Sequence, residues 1–159
     1  MNLKRLQKEI RSLSKDPLPD CIALPFEDDI TQWRFIFKGA DDTDYRGGLY
    51  MGSIILPDLY PFAPPKILMN TPNGRLRADG KSICMSFSDW HPESWNPAWG
   101  IRTIILGLIS LQSLSSLDKD TTEPKFVINS NLSSIKSRIK KSQSVRLSSV
   151  FSKSDFIIR

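Results

Sequence analysis

Residues 71–99 read TPNGRLRADGKSICMSFSDWHPESWNPAW, a stretch with no sustained helical or strand period. It holds one of the chain's two cysteines, its only histidine and three of its four tryptophans. A loop of this length inside a compact domain is usually functional. Backbone that leaves the regular ladders must find other hydrogen-bond partners, and the Asn, Asp, Ser and Trp side chains here supply them. The stretch therefore reads as a structured site. Cys84 stands at its centre behind Gly80-Lys81-Ser82-Ile83, and Asn73-Gly74 upstream is a turn signal. A thiol and an amide are expected to converge there.

Both flanks of the loop are periodic. Upstream, Leu3, Leu6, Ile10 and Leu13 mark an amphipathic first helix that Pro17 and Pro19 end. Lys4, Arg5, Lys8 and Arg11 lie off the apolar stripe, as a solvated face or as a docking surface for an acidic partner. From Cys21 to Met69 the period becomes two: Ile22, Leu24 and Phe26 alternate, then Trp33, Phe35 and Phe37, then Leu49, Met51 and Ile54-Ile55-Leu56. With turns at 27–29 and 39–42 and a last strand at Lys66–Met69, this predicts a four-stranded antiparallel meander. The corner Pro57–Pro65 carries four prolines, which restrict φ and remove donors, so it is expected as a rigid bend from which Phe62 protrudes.

Downstream, Ile101, Ile104, Ile105, Leu108 and Ile109 predict a second helix with a broad apolar face suited to packing across a sheet. Residues 118–124 form a polar exit, and Ile128, Leu132, Ile135 and Ile139 suggest one more helix before a Ser/Lys-rich end. The expected fold class is α+β, with a domain over residues 1–130 and a basic, partly helical tail over 131–159.

The chain's 159 residues, 40% of them hydrophobic, suffice for one self-sufficient core. Its net charge of +5 is uneven: from Ser130 onward seven Lys/Arg face one Asp, giving +6 and leaving −1 for residues 1–129. A near-neutral body argues against a nucleic-acid-binding face, which would carry cations itself. The start resembles an amphipathic helix and no signal peptide, and the longest apolar run, Ile104–Ile109, is far too short to span a bilayer. Membrane association would need an anchor that these residues do not contain. Two cysteines without an export signal suggest free thiols in a reducing compartment.

A cysteine nucleophile acts as thiolate, and an acyl intermediate needs a donor aimed at the developing oxyanion. Cys84 and Asn73 are the candidates; a small buried hydrophobe is the plainer alternative for Cys84. Two distant thiols and one histidine make a poor tetrahedral zinc set, so no metal is expected. The local signatures of papain-like proteases are absent.

The basic first helix, the meander, Tyr60-Pro61-Phe62-Ala63-Pro64-Pro65, Pro72-Asn73, Gly80-Lys81-Ser82-Ile83-Cys84 and Trp95-Asn96-Pro97-Ala98, in that order, resemble the catalytic domain of ubiquitin-conjugating enzymes over about Met1–Leu117. Thr71-Pro72-Asn73, where most members have His-Pro-Asn, and His91–Trp99 resemble the tail-anchored, endoplasmic-reticulum-associated branch. The resemblance implies that Cys84 forms a thioester with ubiquitin and that Asn73 supports the oxyanion or the loop. Phe62, Pro97 and Ala98 match ligase-contacting loops, and Lys4, Arg5 and Lys8 match the helix face used by the activating enzyme and ligases. It also implies no bound cofactor, with ATP used upstream by the activating enzyme, and protein substrates as acceptors.

Asp118 or Asp120 stands where the family places an acidic residue that orients the incoming lysine amine. For the branch resembled, serine and threonine hydroxyls are acceptors too, and His91 is then either a general base or a structural ring capping the loop. The expected location is cytoplasmic, or the cytosolic face of the endoplasmic reticulum, in protein degradation there. The rival reading is a non-catalytic binding module on the same scaffold.

Overall fold

The computed structural model describes residues 2–26, 28–73, 75–113, 127–128 and 156–157. Helix α1 spans Leu3–Lys15, with the Asn2 side chain accepting from the Arg5 amide at its start. Leu6 and Leu13 are buried and Ile10 packs against the core, while Leu3, the first residue of the predicted stripe, is 56% exposed. Strands β1 (Cys21–Pro25), β2 (Gln32–Lys38), β3 (Leu49–Ile55) and β4 (Lys66–Met69) form one antiparallel sheet in sequence order. Helix α2, Ile101–Ser113, buries Ile101, Ile104, Ile105 and Leu108.

The register corrects the expected phase of two strands. Trp33, Phe35 and Phe37 do face the core, but they pair with Pro25, Ala23 and Cys21, so Ile22 and Leu24 lie on the opposite face with Ile36 and Arg34. On β3 the core positions are Tyr50, Gly52 and Ile54, paired with Phe37, Phe35 and Trp33. Leu49 is also buried, and Met51 is half-buried. A one-residue slip exchanges the faces of a strand, and with apolar residues on both faces alternation alone does not choose between them. Gly52 fits its row because the Phe35 ring and the Leu68 carbonyl occupy the space a Cβ would take.

Beyond α2, β5 (Val127–Ile128) pairs antiparallel with β6 (Phe156–Ile157). Ile128, assigned to a helix by its spacing, is thus in a strand; Leu132, Ile135 and Ile139 fall outside the described residues. Among the described residues no helix is long and apolar enough to cross a membrane.

The loop between β4 and α2 is held at both ends and in the middle. Thr71, 2% exposed, fixes the exit from β4: its hydroxyl accepts from the Met51 amide at 2.7 Å and donates to the Met51 carbonyl at 3.3 Å. Trp95 closes the far end, its indole N–H donating to Pro61 O at 2.7 Å and its ring meeting Tyr60 and, edge-on, Trp99. The middle is anchored by Ile83, buried in the core, whose amide donates to Ile67 O.

Candidate active site

Backbone bonds tie the residues before Cys84 to the β4 edge. Ser82 receives the Ile67 amide on its hydroxyl and donates that hydroxyl to Asp89 at 2.5 Å, while the Trp90 indole donates to Ser82 O. After the cysteine the chain reverses twice, with Ser88 N donating to Met85 O and His91 N to Ser88 O. Ser88, fully buried, locks the first turn, its hydroxyl bonded to both the amide and the carbonyl of Met85. A short 3-10 turn, Pro92–Ser94, follows.

These reversals return His91 to Cys84. The exposed Sγ lies 3.1 Å from His91 Nε2, and His91 Nδ1 lies 2.9 Å from Glu93 Oε1. The hydrogen bond from His91 is the main cause that holds the Glu93 carboxyl below its ordinary range. The second cysteine, Cys21, begins β1 and is buried on its core face.

Asn73 is 8% exposed and its amide is fully used within its own loop. Nδ2 donates to Thr71 O and Leu76 O, and Oδ1 accepts from the Arg75 and Leu76 amides. Both amide hydrogens are thus engaged within the loop. Loop bracing without an imidazole at position 71 is supplied by the Thr71 hydroxyl.

The basic face of α1 divides. Lys4 and Lys8 are exposed, but Arg5 turns inward: Nε bonds Glu9 Oε1 at 2.6 Å, and Nη2 donates to Ala98 O and Trp99 O. Arg5 is thus a tie between α1 and the segment before α2. The cause is Glu9 one turn on, which also accepts the Tyr60 hydroxyl at 2.8 Å and the Ile101 amide at 2.8 Å, capping α2. Burial, then the Glu9 carboxylate, push the Tyr60 phenol well above its ordinary value, so it stays a donor. Phe62, 76% exposed, and the exposed Pro97 and Ala98 flank this knot. Asp118 and Asp120 lie outside the described residues.

Sequence reasoning missed Glu93 and Glu9. The signal for Glu93 was an acidic residue two positions after the only histidine; for Glu9 it was an acid one turn beyond Arg5 on a basic helix.

Residues 5–141 match the ubiquitin-conjugating enzyme family. The chain belongs to that family. Ubiquitin-conjugating enzyme E2 34 of Arabidopsis thaliana is 48% identical over 108 residues, covering 68% of this chain and 45% of that protein. Ubiquitin-conjugating enzyme E2 6 of Schizosaccharomyces pombe is 46% identical over 110 residues, covering 69% and 48%. The chain thus spans about half the length of these relatives. A crystal structure of a ubiquitin-conjugating enzyme E2 from Plasmodium falciparum superposes with a TM-score of 0.62 at 29% identity, over 71% of this chain and 99% of that one. The N-terminal helix, four-stranded meander and second helix are therefore those of the ubiquitin-conjugating fold. The family consists of transferases with a catalytic cysteine.

Proposed function

We propose that Cys84 accepts ubiquitin from an activating enzyme by thioester exchange and passes it, with a ligase, to acceptor groups of protein substrates. The observation that carries this reading is the exposed Cys84 thiol 3.1 Å from His91 Nε2 in a chain of this family. The thiolate attacks the thioester carbonyl, and the activating enzyme's thiol leaves. ATP is spent upstream, with no cofactor bound here. In discharge a lysine amine attacks, or a serine or threonine hydroxyl whose proton His91 accepts. The ligase docks over Phe62, Pro97 and Ala98, and Lys4 and Lys8 contribute to the face that meets the activating enzyme. Work in endoplasmic-reticulum-associated degradation, at the cytosolic face of that membrane, is part of this reading; it is supported by the resemblance of Thr71–Asn73 and His91–Trp99 to that branch.

The test is charging with activating enzyme, ubiquitin, magnesium and ATP, analysed on gels with and without reductant. A reductant-sensitive adduct is expected, lost in Cys84→Ala and replaced in Cys84→Ser by a reductant-resistant ester. No adduct with several competent activating enzymes would overturn the reading in favour of a non-catalytic binding module.

A further inference from the structure

Glu93 lies within the segment His91–Trp99, where the family resemblance assigns it no role, yet it completes a line of three groups. Its carboxyl is held below the ordinary range, so at neutral pH it is a carboxylate and can only accept hydrogen bonds. Nδ1 of His91, 2.9 Å from Oε1, must therefore carry a proton. A neutral ring has one N–H, so the lone pair sits on Nε2, 3.1 Å from the Cys84 sulfur. The backbone supports the arrangement: His91 precedes the 3-10 turn whose second residue is Glu93, which puts carboxylate and ring on one short segment. Among the described residues, the titratable groups that meet the ring are Cys84, from the loop before it, and Glu93. Asp89, on the preceding turn, is bonded to Ser82 instead.

We infer that Glu93 is a positioning residue that holds His91 in the Nδ1–H tautomer, making Nε2 the proton acceptor of the site and favouring hydroxyl acceptors. The chemical half of this inference rests on the function proposed above; the tautomer does not. In charging, the Cys84 S–H proton passes to Nε2 as the sulfur bonds the thioester carbonyl, and it leaves with the departing thiol. In discharge to a hydroxyl, the O–H proton passes to Nε2 while the new O–C bond forms. The C–Sγ bond then breaks, and the proton returns to the Cys84 thiolate. A hydroxyl must lose its proton as it attacks, whereas a neutral amine attacks through its lone pair and sheds a proton afterwards, so the relay matters more for hydroxyls.

His91 is the only histidine in the chain, so its ring nitrogens give the only imidazole signals in a 15N-labelled sample. At about pH 8, where an ordinary imidazole is neutral, the wild type is expected to show the Nδ1–H tautomer. Glu93→Ala should move the signals toward the Nε2–H form that a solvated histidine side chain favours in water, and Glu93→Gln, still an acceptor, should restore part of the wild-type pattern. The Glu93 side chain is 67% exposed, so these variants keep the fold, which equal thermal midpoints would verify. On charged enzyme, Glu93→Ala is expected to slow discharge to free serine by about tenfold, a part of what a positioned general base contributes, with a smaller loss toward free lysine. Identical tautomer populations in wild type and Glu93→Ala, or equal losses toward serine and lysine, would overturn the inference while charging stayed intact. Failure to charge would instead overturn the proposed function and leave the tautomer result standing.

Discussion

Replacing Glu9 by alanine should loosen the joint between α1, the Tyr60 corner and α2. One carboxylate there serves three donors: the Arg5 guanidinium at 2.6 Å, the Tyr60 hydroxyl at 2.8 Å and the Ile101 amide at 2.8 Å. Loss of the α2 cap costs about 1 kcal/mol. Tyr60 is 1% exposed, so its orphaned hydroxyl adds about 1.5 kcal/mol of unrecovered desolvation. The Arg5 pair, partly open to water, adds about 0.5 kcal/mol. The total is about 3 kcal/mol, and for a chain of this size each kcal/mol lowers the thermal midpoint by about 3 °C. A fall of about 9 °C is expected in a melt followed by circular dichroism. Glu9→Gln keeps an acceptor without the charge and should fall by about a third as much. A Glu9→Ala midpoint within about 2 °C of wild type would refute the view that this carboxylate holds the three elements together.

Other expectations follow from single contacts. Gly52→Ala drives a Cβ into the Phe35 ring and the Leu68 carbonyl, and should cost about 2–3 kcal/mol in urea unfolding; a loss below about 0.5 kcal/mol would mean the sheet yields there. Asp29 is held below its ordinary range chiefly by the Thr31 hydroxyl and amide and by Gln32, so its contribution is present above the unfolded carboxyl's value and lost as pH falls through the folded one. Asp29→Asn should accordingly lower the urea midpoint at about pH 7, with the gap narrowing as pH falls below the ordinary carboxyl range; a gap independent of pH would count against it. Phe62→Ala should weaken ligase binding by about tenfold or more with charging nearly unchanged, because the ring is 76% exposed and supports no part of the core; equal loss of both would remove Phe62 from the ligase face.

The elements were legible because each carries its own period. The spacing of Leu6, Ile10 and Leu13 on α1, the alternation of Trp33, Phe35 and Phe37 on β2, and Ile101 to Leu108 on α2 are local consequences of 3.6- and 2-residue repeats. The faces of β1 and β3 were not, since Ile22, Leu24 and Met51 are apolar residues on the side away from Trp33 and only pairing with β2 selects the phase. Within the site, Cys84 and His91 could be nominated from residue type, but their partners could not. Asn73 looked like a free donor because nothing in its neighbours' identities shows that its amide is consumed by Thr71, Arg75 and Leu76.

By itself, then, the sequence determined the order of helices and strands, the length of the loop, and the residue types that place the chain in its family. Those depend on local periodicity and on motifs read along one dimension. Only the tertiary structure decided that Cys84, His91 and Glu93 form a line and that Arg5 faces inward. The first depends on two chain reversals locked by buried Ser88. The second depends on Ala98 and Trp99, more than ninety positions away in sequence, arriving beside α1. Irregular backbone has no period to read, so its geometry is set by hydrogen bonds between residues whose proximity exists only once the chain has folded.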